Sequence, residues 1–220
     1  MHIEKNEKLK EISRVFATKA AETNMKIIEL LMFKGPLNPY GVKKELHEEH
    51  YSVINRRIRA LAKSGYVSVV DERPSSKLDL VTKRYGLTLR GFLAALLFIN
   101  YEKKVDLILN ANKQNISFCS FFSEAIEKKT LTSKQVKAIF LDKLKEYFAK
   151  GYERLDGTSD YFLFQHAGNY IRHDARALLK KLPKNEAEIM AGILIEFARL
   201  AHSETTERFL KPYLTKHSDK

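Results

Sequence analysis

The chain has 220 residues, of which 44% are apolar and 30% are charged. That balance excludes a disordered chain, and the length allows one or two domains with a real core. The formal net charge of +12 favours a polyanionic partner, nucleic acid first and an anionic membrane surface second. The single cysteine, Cys119, excludes an intrachain disulfide and a thiolate zinc site, and its setting in SFCSFF predicts a buried, unreactive thiol.

The chain shows no targeting or membrane-spanning pattern. Its first residues, MHIEKNEKLKEI, are charged and lack an apolar signal core. The longest apolar run, from Phe92 to Ile99, is too short to cross a bilayer. We therefore expect a soluble, cytoplasmic protein.

The first quarter of the chain is predicted to be helical. Residues 3–22 are predicted to form a first helix, whose role is either packing or a dimer contact. Asn24 is predicted to cap a short helix to Lys34, which Gly35-Pro36 ends. Asn38 and Pro39 then open a helix to His47, because an amide cap followed by proline is a common helix start. That helix is predicted to bury Tyr40, Val42 and Leu46.

A tight turn leads into an amphipathic basic helix between Tyr51 and Gly65, with the sequence YSVINRRIRALAKSG. At 100° per residue its apolar side carries Ile54, Ile58 and Leu61, bordered by Ala62. The opposite side carries Ser52, Arg56, Arg59 and Lys63. Ser52 is the predicted N-cap, and Gly65 is placed to end the helix.

A β-hairpin is predicted directly after this helix. Tyr66 to Glu72 has the alternation of a strand, Arg73 to Lys77 is a turn, and Leu78 to Leu87 is a returning strand. Thr88 caps the next apolar helix. From Tyr51 to Gly91 there are nine Lys or Arg and three Asp or Glu, a net of +6, half of the total charge.

Residues 24–97 resemble a winged helix-turn-helix domain of the MarR/PadR-like transcriptional regulator type. The run RIRALAKSGYV, from Arg57 to Val67, is similar to the family's recognition-helix exit, where Leu-x-x-x-Gly leads into the first wing strand. The run KRYGLTLRG, from Lys83 to Gly91, is similar to its wing exit. The resemblance implies a recognition helix in the major groove of double-stranded DNA, with the wing on the flanking backbone.

The candidate DNA-binding residues lie on three predicted elements. On the recognition helix, Ser52, Asn55 and Arg56 are expected to read bases, and the later cations to hold phosphates. The full set is Ser52, Asn55, Arg56, Arg57, Arg59 and Lys63 on the recognition helix, Lys43 and Lys44 on the preceding helix, and Arg73, Lys77, Lys83 and Arg84 on the wing. Because Lys83 and Arg84 alternate along a strand, at most one of them is expected to point at DNA.

The second half is predicted to be helical to its end. The helix after the wing runs towards Leu109, a helix spans Ile116 to Ile126, and Ser133 caps another to Lys150. Further helices are predicted over 160–182, from Asn185 onward and around Phe209. The aromatic residues of this half fit a helical core, a ligand pocket or a dimer seam, and the three alternatives stay open.

The predicted fold class is therefore mainly α, with a winged-helix domain over 1–99 and an all-helical domain over 100–220. We expect a sequence-specific transcriptional regulator, prokaryotic and nucleoid-associated, acting as a homodimer. Its second half either dimerises or senses a small-molecule or protein effector. Two alternatives remain, a winged helix used as a protein-interaction module and a non-specific chromatin- or RNA-associated binder. No metal is expected, since neither His47 with His50 nor His166 with His173 has a third ligand nearby. No cofactor is expected, and no enzymatic activity either, since the carboxylate pairs Glu48-Glu49 and Asp71-Glu72 lie on predicted exposed turns.

Overall fold

The computed structural model describes residues 20–74 and 81–149, together with Phe16 and scattered positions between 162 and 199. The fold is mostly helical, with one two-stranded antiparallel sheet in the described residues. The helices are α1 (Ala21–Lys34), α2 (Pro39–Glu45), α3 (Tyr51–Lys63), α4 (Leu89–Phe98), α5 (Val105–Asn112), α6 (Ser117–Glu127), α7 (Ser133–Val136) and α8 (Asp142–Ala149). The strands are β1 (Val67–Pro74) and β2 (Val81–Leu87), and a π-helical turn, Lys137–Leu141, joins α7 to α8.

The first helix starts earlier than its sequence suggests. Its N-cap is Ala20, without a side-chain cap, and Asn24 lies inside α1 with only 3% of its surface exposed. The predicted capping role of Asn24 is therefore wrong. Residues 3–22, predicted as a separate helix, lie outside the described part except for Phe16 and the positions from Ala20 onward.

The predicted start of α2 is confirmed, whereas one of its predicted buried residues, Tyr40, is exposed. The Asn38 side chain accepts a hydrogen bond of 2.7 Å from the backbone N–H of Gly41, and Pro39 occupies the first turn. Val42 is fully buried, whereas Tyr40 is 65% exposed. Tyr40 was predicted to be buried, but at 100° per residue it lies well off the stripe that Val42 shares with Leu46.

The hairpin has an irregular register. Val67 pairs with Leu87 and Val69 with Tyr85, but Asp71 pairs with Arg84, so Val70 is the extra residue of a bulge. The chain before α2 extends this sheet by one residue, because Leu37 exchanges both backbone hydrogen bonds with Tyr85, at 3.0 and 2.8 Å. The hairpin is thereby fixed to the start of α2.

The helix after the hairpin ends sooner than predicted. Thr88 caps α4 as expected, accepting a hydrogen bond of 3.1 Å from the N–H of Gly91. The helix ends at Phe98 because Ile99 is extended, and a separate helix, α5, begins at Val105. The expected continuation towards Leu109 is therefore wrong.

The core is one continuous cluster of buried side chains. It runs from Phe16 through α1, α3 and α4 to Phe140 and Phe148 on the later helices. Here α5 packs on α1, and α8 packs on α4. The boundary predicted near residues 99–101 stays a prediction, and the described core passes across it.

The helical run after Thr132 contains a widened turn. Thr132, not Ser133, caps it, with a reciprocal capping box to Gln135. From Lys137 to Leu141 the backbone follows a π-helix, and the N–H of Asp142 donates to the carbonyl of Lys137. No helix in the described ranges is long and apolar enough to span a membrane. The helices predicted over 160–182, from Asn185 onward and around Phe209 lie largely or wholly outside the described residues.

Candidate nucleic-acid interface

The two sides of α3 are sharply different. Ile54, Ile58 and Leu61 are each 0% exposed, as their spacing predicts. Ser52, Arg56, Arg59 and Lys63 are exposed, and Asn55 and Arg57 are half-buried beside them. At 100° per residue the four exposed side chains fall within an arc of about 60°. The helix is therefore held by one side and presents a polar ridge on the other.

Carboxylates do not neutralise this ridge in the part of the chain that the structure describes. None of Arg56, Arg59 and Lys63 lies within ion-pairing distance of a described Asp or Glu. Exposed cations without a neighbouring carboxylate keep their full field for an external anion. Arg offers a planar fork for guanine edges or phosphate oxygens, and Lys a point charge.

The start of α3 differs from its prediction. The helix begins at Tyr51, with His50 as N-cap and no side-chain cap bond, so Ser52 is an exposed residue of the first turn. The predicted N-cap role of Ser52 is wrong. Ser52 instead lies on the exposed ridge with Arg56, Arg59 and Lys63.

Two similar backbone motifs close α2 and α3. After α3, Gly65 has φ 76°, and the N–H groups of Gly65 and Tyr66 donate to the carbonyls of Ala62 and Leu61 at 3.0 and 2.9 Å. After α2, the equivalent left-handed residue is His47, with φ 52°. Each motif satisfies carbonyls at a helix end and turns the chain sharply, so α3 follows α2 through a short turn. The prediction for Gly65 is confirmed.

The C-terminal end of α3 is also fastened to α4. The Thr88 hydroxyl donates to the carbonyl of Gly65 at 2.6 Å, and the Arg90 guanidinium donates to the carbonyl of Ser64 at 3.2 Å. A Cβ at Gly91 would lie 2.0 Å from the carbonyl oxygen of Tyr66, so only glycine permits this approach. Sequence reasoning missed the positioning roles of Arg90 and Gly91, although both stand in the run KRYGLTLRG.

Lys43 and Lys44 lie in the last turn of α2. Lys43 is half-buried and Lys44 is exposed. Cations at a helix C-terminus also interact favourably with the helix dipole, so their placement has a structural reason as well as a functional one.

The hairpin cations are paired across the two strands. Lys83 Nζ lies 2.9 Å from a Glu72 carboxylate oxygen, and Arg84 Nε lies 3.2 Å from one of Asp71. The hydrogen bond that the Lys83 ammonium donates to Glu72, together with the negative charge of that carboxylate, raises the pKa of Lys83 above its ordinary value. At most one of the two side chains was expected to point at DNA, and each lies beside a carboxylate of β1. Contact with DNA by either one stays a prediction and would have to compete with its ion pair.

Two of the predicted DNA-binding residues, Arg73 and Lys77, were placed at the tip of the hairpin. Lys77 and the rest of 75–80 lie outside the described residues, as does the side chain of Arg73.

Two titratable groups outside α3 also have raised pKa values, namely Cys119 and Tyr101. Burial raises the pKa of the Cys119 thiol, as its predicted inert role requires. Burial, with a smaller contribution from Asp142, raises the pKa of Tyr101. Among the described residues no three His, Cys, Asp or Glu side chains are grouped as metal ligands would be.

Comparison with known proteins adds no relative. No protein-family model, no curated protein and no solved structure matches this chain. Any functional assignment therefore depends on the geometry and chemistry described above.

Proposed function

We propose that this chain is a winged helix-turn-helix transcriptional regulator that binds double-stranded DNA. In this proposal α3 lies in the major groove, α2 crosses the backbone, and the hairpin forms the wing beside the flanking backbone. Two copies related by a two-fold axis would place their α3 helices about 34 Å apart, in successive major grooves.

One observation carries the proposal. A single helix has one fully buried side and an opposite ridge of Arg56, Arg59 and Lys63, which has no described carboxylate partner. A cationic ridge on a helix fixed from behind is what phosphate and base-edge contacts require. The order of α2, a short turn, α3 and an antiparallel hairpin supports the same reading.

The two ion pairs of the hairpin stem change how much of the attraction to DNA is expected from the hairpin and how much from the helices. With Lys83 and Arg84 held by Glu72 and Asp71, the described hairpin stem contributes little net charge. Most of the attraction would then come from six helical cations. Arg56 is expected to read bases, and the other five are expected to hold phosphates, namely Lys43, Lys44, Arg57, Arg59 and Lys63. Five phosphate contacts per subunit give a salt slope of about −4.5, or a loss of about twentyfold in affinity when salt is doubled.

The test is a fluorescence-anisotropy titration at two salt concentrations. One duplex carries the region upstream of the chain's own coding sequence, and the other is a random duplex of equal length. The Arg56→Ala/Arg59→Ala variant should bind at least tenfold more weakly and reduce the slope by about 0.9 per subunit, because Arg59 is the expected phosphate contact of the two. The matched control is Lys103→Ala/Lys134→Ala, which removes the same charge from two exposed positions away from α3.

The outcomes separate the rival functions. Preference for the upstream duplex, lost in the α3 variant and kept in the control, supports a sequence-specific regulator. Equal binding to both duplexes supports the non-specific binder instead. If the folded wild-type chain binds neither duplex, the DNA-binding proposal fails and the protein-interaction module takes its place.

A further inference from the structure

The first turn of α2 carries a large side chain that the core does not use. Tyr40 is 65% exposed, the largest exposed fraction among the large hydrophobic side chains that the structure describes. Its hydroxyl makes no hydrogen bond to the described part of the chain. A single exposed ring is common on protein surfaces, so the neighbours of Tyr40 decide whether it has a role.

Tyr40 lies on the polar side of α2, together with an exposed lysine. At 100° per residue, Tyr40 and Lys44 lie about 160° and 200° round the helix from Val42, which is fully buried. The two residues are one turn apart, the spacing at which side chains on a helix are neighbours. Lys44 is exposed, and Lys43 is half-buried beside it. An aromatic ring and an ammonium group therefore face outward from the same side of α2.

This side of α2 has little negative charge to oppose an anion. The one carboxylate of α2 belongs to Glu45, about 140° round the helix from Tyr40, and it lies 3.4 Å from a lysine ammonium of α1. Glu48 and Glu49 follow at the opposite end of the helix from Tyr40. In the described ranges no carboxylate oxygen lies within ion-pairing distance of Lys44 Nζ. The surface around Tyr40 therefore favours an anionic partner.

The backbone under Tyr40 is fixed on both sides. Before it, Leu37 exchanges two backbone hydrogen bonds with Tyr85, at 3.0 and 2.8 Å. After it, the N–H of Gly41 donates to the Asn38 side chain at 2.7 Å. The ring itself has only two rotatable bonds, so holding it against a partner costs little conformational entropy. Tyr40 is therefore well suited to a contact that needs a fixed position.

We propose that Tyr40 binds the DNA backbone, with its hydroxyl donating a hydrogen bond to a phosphate oxygen beside the phosphate held by Lys44. This inference rests on the proposed function, in which α2 crosses the backbone. Tyrosine hydroxyls are among the groups that bind phosphates in protein–DNA complexes. Tyr40 and Lys44 are about 6 Å apart along the helix axis, so both can reach the same strand. The ring covers the adjacent sugar, which gives the exposed apolar surface a role.

A phenol and an ammonium group differ in how salt affects their contacts with DNA. Lysine neutralises a phosphate and releases a counterion, whereas a neutral hydroxyl releases none. In the anisotropy titration with the upstream duplex, Tyr40→Phe should lower the affinity by about three- to tenfold per subunit at both salt concentrations. Its salt slope should stay that of the wild type. Lys44→Ala should also bind more weakly, but with a slope reduced by about 0.9 per subunit.

A further variant separates the hydroxyl from the ring. An aromatic ring beside cations also suits stacking on an unpaired base, as in proteins that bind single strands. Phenylalanine keeps such a stack, and alanine removes it. Wild-type affinity in Tyr40→Phe with a loss in Tyr40→Ala would therefore overturn the phosphate contact. Leu107→Ala, which truncates a 50% exposed side chain on α5, is the control and should change neither affinity nor slope.

Urea denaturation shows whether the loss of affinity comes from the contact or from the fold. Because the Tyr40 hydroxyl has no hydrogen-bond partner among the described residues, Tyr40→Phe should unfold at the same urea concentration as the wild type. A clear loss of stability would assign the hydroxyl to the fold and overturn its role as a contact.

The outcomes also separate this inference from the proposed function. If the wild type binds DNA and Tyr40→Phe binds equally well, or with a reduced slope, the phosphate contact of Tyr40 is refuted and the DNA-binding function stands. If the folded wild type binds neither duplex, both are refuted. Weaker binding by Tyr40→Phe with an unchanged slope supports both.

Discussion

Replacing Gly91 by alanine tests whether α4 and the end of α3 are as closely packed as described. The added Cβ would lie 2.0 Å from the Tyr66 carbonyl oxygen, whereas real Cβ atoms do not approach within 3.0 Å. The first turn of α4 must therefore move by about 1 Å against backbone that has no rotamer to change. Overpacking of this kind costs about 1–3 kcal/mol, and strain on the Thr88 bond to Gly65 adds about 1 kcal/mol. We expect a loss of about 2–4 kcal/mol, or a Tm lower by about 4–16 °C.

Gly192 offers a matched control. It also lies in a helix, but no atom of the described residues comes within 4 Å of the position a Cβ would take. Alanine there should be neutral or stabilising by up to about 1 kcal/mol, because glycine is the poorer helix former. Urea denaturation and calorimetry of both variants provide the comparison. A Gly91→Ala protein as stable as Gly192→Ala would refute the close approach of α4 to Tyr66.

Three further expectations follow from single side chains. Gly65→Ala should cost about 1–2 kcal/mol in urea denaturation, because φ is 76° there and Arg90 lies 3.1 Å from the added Cβ. The pKa of the Lys83 ammonium should lie above its ordinary value of 10.5. Its small contribution to stability is therefore complete below pH 10.5 and is lost as the pH rises through the raised pKa. In an NMR titration of the Glu72→Gln variant, the pKa of Lys83 should return to its ordinary value. Cys119 should resist a disulfide reagent at pH 8 in the folded protein and react fully in denaturant, since burial both shields the thiol and raises its pKa; rapid labelling of the native protein would contradict that burial.

Sequence patterns located the elements whose signals are local. The buried side of α3 follows from three apolar residues at helical spacing, and the caps at Asn38 and Thr88 follow from one side chain and the N–H three residues on. Such features depend on neighbours in the chain and need no tertiary information. The same reasoning placed the turn at Gly65 correctly.

Features decided by distant residues were missed or misplaced. The apolar run after Thr88 gives no sign that α4 stops at Phe98. The chain just beyond that point is held by a distant contact, because the Tyr101 hydroxyl donates to Asp142, 41 residues away. The π-turn before Asp142 has no periodicity of its own that a sequence pattern would reveal. Asn24 was predicted to be a cap because Asn is common at caps. It lies within α1, and its side chain is buried.

The hairpin shows most directly how register decides which side chains lie opposite each other. Alternation along β2 predicts that Lys83 and Arg84 face opposite ways, but it gives no information on what stands opposite. The bulge at Val70 sets Asp71 against Arg84 and Glu72 against Lys83. A hairpin without that extra residue would offset the pairing by one, and a shift of one residue reverses the face of every side chain.

Within the described part of residues 39–87, these pairs leave the cations of α2 and α3 as the ones without a carboxylate partner. A cation already held by a carboxylate gains less from a phosphate, because the existing ion pair must first be broken. Arg56, Arg59 and Lys63 carry no such cost towards any described carboxylate. Releasing the hairpin cations with Asp71→Asn and Glu72→Gln should therefore steepen the salt dependence of the proposed DNA binding by up to about 1.8 in slope. An unchanged slope would mean that the hairpin stem lies away from the DNA, with α2 and α3 as the contacts.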